Sequence, residues 1–522
     1  MYLTDPLAYE VHTAFTMALS VPIILINGSK HERRMNMTIK TNPIRLLVWL
    51  SKVLAILILS GCATVGPDYV PLDTMVSKGW HTPLDSGLTV EEIDPQALAA
   101  WWNTLNDQEL SNLITRAVKG NLDLKEARAR IREARVRRGA ARVDLFPTLD
   151  ATSSATWSRS SENTGAGETR DFYAAGFDAG WELDLFGGVQ RSVEAADADL
   201  DATQENLHDV LVSLTAEVAL NYIEVRIYQK RLSVTVANLE IQQETYRLIQ
   251  SRYQAGLNDE LAVQQARSNL ESTRSQVPTL RTSLQESLNR IAVLLGEQPG
   301  GLHKELQEYL PIPLVPLKVA VGVPADVLRR RPDIRKTERQ VAAQTARIGV
   351  ATAELYPKFT LSGSIGLEAL SLGNLIEAGS STFRIGPRIT WPIFNAGSIR
   401  ANIEVQSAIQ EQTMIQYEST VLSALEEVEN ALVAYVEEQI RRTSLEKAVD
   451  AAKQVLKLAQ YKYQTGLIDF ITVLDAQRSL LTYEDQLVQS AGSITSNLVR
   501  LYKALGGGWI SLAPEKEYEL RS

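Results

Sequence analysis

Downstream of Pro147 the side chains alternate with a period of two. Leu149, Ala151, Ala155 and Trp157 fall on one face, and Asp150, Thr152, Ser154 and Thr156 on the other. The chain turns in a Gly-rich stretch around 164–167 and returns with Tyr173, Ala175, Phe177, Ala179, Trp181, Leu183 and Leu185 opposed to Asp178, Gly180, Glu182 and Asp184. A second pair follows: Phe359, Leu361, Ile365 and Leu367 against Lys358, Thr360, Ser362, Ser364 and Glu368, then Phe383, Ile385, Ile389, Trp391 and Ile393 against Thr382, Arg384, Arg388 and Thr390. Such alternation predicts strands with one apolar and one wet face. The runs of about 10 to 15 residues exceed ordinary globular strands and reach the ~9 to 11 that cross a bilayer. Aromatics gather near their ends (Trp157, Tyr173, Phe186, Phe383, Trp391, Phe394), as an interfacial girdle would. A soluble β-sandwich with one buried face is the competing reading.

Elsewhere the period is helical. From Val189 to Gln254, and again from Ser398 to Thr465, there is neither proline nor glycine, and apolar residues recur at three- and four-residue steps, as in Val210, Leu214, Val218, Tyr222 and Val225. At ~1.5 Å per residue each stretch predicts a helix of about 100 Å, far beyond the usual ~8 to 20 residues and in need of coiled-coil partners. Shorter helices, 124–145, 260–295, 334–355 and 470–505, supply them. Pro278 inside one of these predicts a kink or a junction. Gly256 and Gly466 reverse the chain after the long helices.

The same order occurs twice. Phe146-Pro147 recurs as Tyr356-Pro357, Arg252-Tyr253-Gln254-Ala255-Gly256-Leu257 recurs as Lys462-Tyr463-Gln464-Thr465-Gly466-Leu467, and Trp181 recurs as Trp391, always 210 positions on. The chain is an internal tandem repeat, with a Pro-rich connector, Leu310-Pro311-Ile312-Pro313-Leu314-Val315-Pro316, between the copies. We divide it into a first repeat (62–300), connector (301–325), second repeat (326–509) and C-terminal tail (510–522).

Four strands cannot close a membrane barrel, and an open sheet edge in lipid strands its backbone groups at several kcal/mol each. Several chains must therefore share one barrel. The apolar face would meet lipid, and the polar face, with Asp178, Glu182, Arg384 and Arg388, would line a wet lumen.

The N-terminus adds an address. Leu46 to Leu59 is mostly apolar after Lys40 and Arg45, but its uninterrupted core, Val53 to Leu59, is too short to span a bilayer. It reads as a signal peptide over 35–61, with Met35 or Met37 as its start, which leaves 1–34 as an over-extended N-terminus. Leu59-Ser60-Gly61-Cys62 resembles a lipobox, whose cysteine would carry a diacylglycerol thioether and an N-acyl chain. Ala63 after it implies sorting to the outer membrane.

Composition then removes alternatives. Cys62 is the one cysteine of 522 residues, so there is no intrachain disulfide framework and no cysteine-rich metal site. The five histidines form no HExxH pair, and the methionines after Cys62, Met75 and Met414, suggest no thioether path. We expect no metal site, no catalytic residue and no enzyme activity. A formal charge of −9 argues against nucleic acid as a partner, and the arginine run from Arg128 to Arg142 reads as a solvated helix face.

From Cys62 to about Trp509 the chain resembles the TolC-like outer-membrane efflux proteins, in their OprM and NodT lipoprotein branch. The marks are Val65-Gly66-Pro67-Asp68-Tyr69, Trp101-Trp102 with Leu105, Asp107 and Leu110, and Val323-Pro324-Ala325-Asp326-Val327-Leu328-Arg329-Arg330-Arg331-Pro332-Asp333-Ile334. The resemblance implies an α+β membrane protein, a homotrimer whose twelve strands, four per chain, form an outer-membrane β-barrel continued by a long periplasmic α-helical barrel. It also implies a periplasmic adaptor (membrane fusion) protein and an inner-membrane resistance-nodulation-division or other pump as partners, with the chain as a passive exit duct for small molecules such as drugs or toxic compounds. A type I secretion duct for polypeptides and a periplasmic coiled-coil scaffold lipoprotein are the alternatives.

Residues 463–478 resemble the family's tunnel-closing tip. By that resemblance Asp475 belongs to a carboxylate ring at the constriction, Arg478 to a neighbouring arginine and Ile471 to an apolar constriction, with Tyr463 beside them. Carboxylates crowded at a narrow aperture repel one another and attract cations. Thr472 and Gln464 replace charged family residues, and the first copy has Ala262 and Gln265 at the equivalent places, so a weaker electrostatic lock is expected.

Overall fold

A computed structural model describes residues 64–72, 76–92, 94–164 and 167–509. The signal-peptide and lipobox readings, Cys62 included, the over-extended N-terminus and the C-terminal tail lie outside these residues.

Two short strands, β1 (Leu88–Thr89) and β4 (Val319–Ala320), pair in parallel, and the four long strands form one antiparallel sheet, β2 (Thr148–Arg159), β3 (Thr169–Leu183), β5 (Lys358–Ala369) and β6 (Ser381–Thr390), in the order β2-β3-β5-β6. Two strands end earlier than the alternation predicts. Leu185 follows the end of β3, and Trp391 and Ile393 follow β6, where Pro392 has no N–H for the ladder. The register keeps apolar residues together: Phe177 pairs with Ile365, which pairs with Phe383. Among the described residues no second layer covers that face, and Phe177, Ile365 and Phe383 are 54%, 65% and 78% exposed. The sandwich reading is thereby overturned, because its buried face would be packed.

Each strand runs out of or into a helix. Among the described residues the α-helices are α1 (Pro95–Ala99), α2 (Gln108–Gly120), α3 (Leu122–Val143), α4 (Gly188–Gln254), α5 (Glu260–Leu294), α6 (Pro324–Arg330), α7 (Pro332–Ala353), α8 (Ser398–Gln464) and α9 (Phe470–Ala504). Near the sheet α3 packs on α4, α4 on α7 and α7 on α8, the same order as the strands they join. At the other end α5, α4, α9 and α8 are neighbours in turn. The two long helices are 67 residues each, and their starts at Gly188 and Ser398 keep the 210 spacing. No helix among the described residues is long and apolar enough to cross a membrane.

Pro278 marks no junction. Helix α5 continues through it, held by the buried neighbours Val277 and Leu280. The arginine run is mostly exposed and braced by Arg130–Glu126 and Arg137–Glu133 pairs one turn apart, as a solvated face should be.

The core sits at mid-height. Trp101, Trp102, Leu110 and Ile114 pack with Leu214, Val218, Tyr222, Ile291, Leu498 and Leu501, so the segment before α3 clamps α4, α5 and α9. Within it Tyr222 Oη donates to Asp107 Oδ2 at 2.7 Å, and the buried Arg226 donates to Tyr222 Oη at 3.1 Å. Burial and the Asp107 carboxylate hold the Tyr222 phenol above its ordinary range. The Tyr435 hydroxyl, in the same core, is pushed up to about 12 by burial.

Candidate functional site

Two regions at opposite ends of α4 carry the candidate residues. At the sheet-distal end both long helices stop at a glycine in the left-handed region, Gly256 at φ 72° and Gly466 at φ 74°. Leu257 N–H donates to Arg252 O and Leu467 N–H to Lys462 O, each at 2.8 Å, closing the Schellman turn that only a residue without Cβ adopts cheaply. Asp259 then caps α5 by accepting from Ala262 N–H at 3.0 Å.

Beyond the second turn Asp475 lies on α9 with its side chain 64% exposed, 3.5 Å from Arg478 Nη1. Arg478 Nε also donates to Oδ1 of the buried Asn269, on α5, at 2.8 Å. Arg478 therefore ties the second copy's hairpin to the first. Tyr463 is half-buried, with its ring 5.4 Å from Phe470 and Arg252 5.2 Å from its centroid; its hydroxyl accepts from Asn258 Nδ2 at 3.0 Å. Ile471 is 38% exposed. The structure thus brings Asp475 to Arg478, and uses Tyr463 to join the two turns.

The contact between the copies stays polar up α4 and α9. Gln477 Nε2 donates to Thr245 Oγ1 at 3.1 Å, Asn238 Nδ2 to Glu484 Oε2 at 3.1 Å, and Arg231 Nε to Asp485 Oδ1 at 2.7 Å. Below this polar seam lies a small apolar cluster of Ile249, Val263, Ala266, Phe470, Val473 and Leu474.

At the other end Asp178, Glu182, Arg384 and Arg388 share the polar face of the sheet and are exposed. Thr152 Oγ1 donates to Asp178 Oδ2 at 2.7 Å, and Arg384 Nη2 to Glu368 Oε1 at 3.2 Å. Indole anchors repeat where sheet meets helices: Trp181 Nε1 donates to Leu145 O and Trp391 Nε1 to Leu355 O.

Three further residues give the sequence marks a physical meaning. Buried Arg191 holds the segment 65–68, donating to Val65 O, Gly66 O and Asp68 Oδ1 while paired with Glu194. Glu429 on α8 accepts from His81 N–H, Thr82 N–H and Thr82 Oγ1. Arg331 is buried, donates to Ala504 O and pairs with Asp333 and Glu427. Arg331 lies in a motif read from the sequence; Arg191 and Glu429 carry no local signal, since one arginine or glutamate in a charged helix looks like any other.

The family profile described as outer membrane efflux protein matches residues 113–297 and again 323–507. The chain belongs to this family. It is 32% identical over 470 residues to nodulation protein T of Rhizobium leguminosarum bv. trifolii, covering 88% of this chain and 97% of that protein. It is also 32% identical over 460 residues to the solvent efflux pump outer membrane protein SrpC of Pseudomonas putida, covering 87% and 97%. The solved outer-membrane channel OprN superposes with a TM-score of 0.81 at 34% identity over 86% of this chain and 100% of that one. As a member of the outer membrane efflux protein family, this chain is an outer-membrane protein with the fold of a TolC-like channel and a large periplasmic portion.

Proposed function

We propose that the protein is the outer-membrane exit duct of a tripartite efflux system. One observation carries the reading: the sheet has an uncovered apolar face and two unpaired edges, β2 and β6, and the helical layer ends on the matching edges α3 and α8. The sheet cannot seal in lipid alone, and a helical layer with two free edges encloses no path. Three copies placed edge to edge satisfy both at once, as a twelve-stranded barrel continued by a helical tunnel.

In this reading the 62–300 and 326–509 repeats each give two strands and a helical hairpin, 301–325 passes between them, and Cys62 carries lipid that holds the assembly in the outer membrane. A groove of about 740 Å³ touching α3, α4, α7 and α8, with Arg137, Asp199, Arg347 and Gln406 on it, supports a curved helical layer. The turns at Gly256 and Gly466 face the periplasm, where Asp475, Arg478, Ile471 and Tyr463 act as the gate. A periplasmic adaptor meets this end, and an inner-membrane pump supplies both energy and substrate. The chain performs no chemistry on the cargo; it passes small molecules, such as drugs or toxic compounds, down the path the pump opens.

Native mass measurement of detergent-purified protein, followed by planar-bilayer recording, tests this. The expected result is a trimer that inserts to give discrete conductance steps; a monomer without conductance overturns it.

A further inference from the structure

The register of the sheet sorts charge by strand. On the polar face Asp150 of β2 pairs with Asp178 of β3, Asp178 with Ser364 of β5, and Ser364 with Arg384 of β6. Four residues along, Glu182 of β3 pairs with Thr360 of β5, which pairs with Arg388 of β6. Both rungs therefore run from acid on the first copy's strands to base on the last strand of the second, with one small neutral hydroxyl residue between. At ~4.8 Å per strand interval, acid and base stand about 10 Å apart at one height. That exceeds ion-pair distance, so they do not cancel each other.

Lys358, on the same face of β5 and paired with Glu354, also lies within electrostatic reach of Glu182, and the other local partners leave most of this charge standing. Asp178 accepts from the neutral Thr152 hydroxyl. Arg384 is shared with Glu368 at 3.2 Å, whereas Arg388 has no acidic partner within 4.0 Å among the described residues. Two carboxylates directly opposite, as at Asp150 and Asp178, destabilise a ladder and gain nothing from packing on an exposed face.

We infer that the barrel lumen carries acidic and basic stripes side by side around its wall at two heights, and that it favours small solutes bearing both signs of charge, which lie along the wall between neighbouring stripes. The inference rests on the duct reading above, since only the closed cylinder turns these rungs into a ring of alternating acidic and basic stripes. Charges that line a narrow aqueous path act on permeants more strongly than their number suggests, because low-dielectric walls focus the field.

The test uses full-length protein in planar bilayers, with hexaamminecobalt(III) or hexacyanoferrate(III) added on the barrel side, so that the distant periplasmic tip does not set the readout. Wild type is blocked comparably by the two ions. Arg384→Gln/Arg388→Gln tightens block by the trivalent cation roughly tenfold, the Coulomb effect expected on a triply charged ion at ~10 Å in water. Asp178→Asn/Glu182→Gln tightens block by the trivalent anion by a similar factor. These changes leave the apolar face intact, and an unchanged yield of inserted channels checks that. If both variants form channels whose block by both ions is unaltered, this inference falls and the duct stands. If wild type forms no channels, the duct reading fails first and takes the inference with it.

Discussion

Arg231 on α4 and Asp485 on α9 form a two-pronged ion pair, Nε to Oδ1 at 2.7 Å and Nη2 to Oδ2 at 3.1 Å, that joins the first copy of the repeat to the second. Both side chains are about a quarter exposed, 23% and 25%, so water screens the pair less than a surface bridge. It heads the polar seam that runs down to Asn269 and Arg478. Parting this seam breaks hydrogen bonds and ion pairs until it reaches the small apolar cluster around Ile249 and Phe470. Arg231→Ala is expected to loosen the second hairpin and raise single-channel open probability severalfold, while the exchanged pair Arg231→Asp/Asp485→Arg restores the wild-type value. Equal behaviour of single and exchanged variants would remove the pair from the gate.

At the tip, Asp475 is mostly exposed and is held at 3.5 Å by Arg478, whose stronger contact is with Asn269. Asp475→Ala is therefore expected to leave the fold in place and to raise ion conductance in bilayers. Unchanged conductance would reduce Asp475 to an ordinary partner of Arg478. Arg478→Ala should act more strongly, because it also releases Asn269 between the copies.

The chain segment after 76 is fastened by Glu429. Burial pushes that carboxyl up, but the Thr82 hydroxyl and the N–H groups of His81 and Thr82 outweigh it, and the net pKa lies below the usual 4.5. A depressed folded-state value contributes stability that is present above the ordinary carboxylate range and is lost as pH falls through the folded value. The protection factors of residues 76–89, which are corrected for the intrinsic pH dependence of exchange, should therefore be high at neutral pH and fall below about pH 4.5. In Glu429→Gln they should be lower at neutral pH and nearly unchanged by acidification.

Arg331 is 8% exposed and faces Asp333 and Glu427, exposed by 27% and 56%. Removing a buried partner leaves charge uncompensated. Arg331→Met is expected to destabilise the protein on the order of 2 kcal/mol, below the ~3–5 of a fully buried pair, because Glu427 is half in water. The readout is the apparent thermal midpoint of the helical circular-dichroism signal in detergent.

Gly66 offers a purely steric check. It sits at φ 90°, and a Cβ there would come within 2.5 Å of the Gly349 Cα on α7. Backbone cannot step aside as a side chain can. Gly66→Ala should detach the segment held by Arg191, seen as new protease cleavage near 64–72, whereas cleavage indistinguishable from wild type would show that the close approach is dispensable.

Much of this was legible before any coordinates, because the relevant physics is local. Period-two alternation around Phe177 and Ile365, the unbroken helical runs, the turn glycines at 256 and 466 and the 210-residue spacing depend on chain neighbours alone. So did the conclusion that four amphipathic strands could not finish their own barrel. Periodicity also overreached: it carried strands onto Leu185, Trp391 and Ile393, since side-chain alternation continues where backbone pairing has stopped.

Which element stands beside which was decided only by the tertiary structure. A pattern says that Asp178 and Arg388 are wet, but not that β3 and β6 lie two strand intervals apart with acid and base on common rungs. It marks Arg478 as polar without naming Asn269, and it gives Arg191 and Glu429 no distinction at all, since the segments they hold, at Val65 and His81, are more than 100 positions away. Faces follow from the geometry of a single chain segment; neighbours follow from how distant segments bury their apolar surface together, and that is a property of the whole fold.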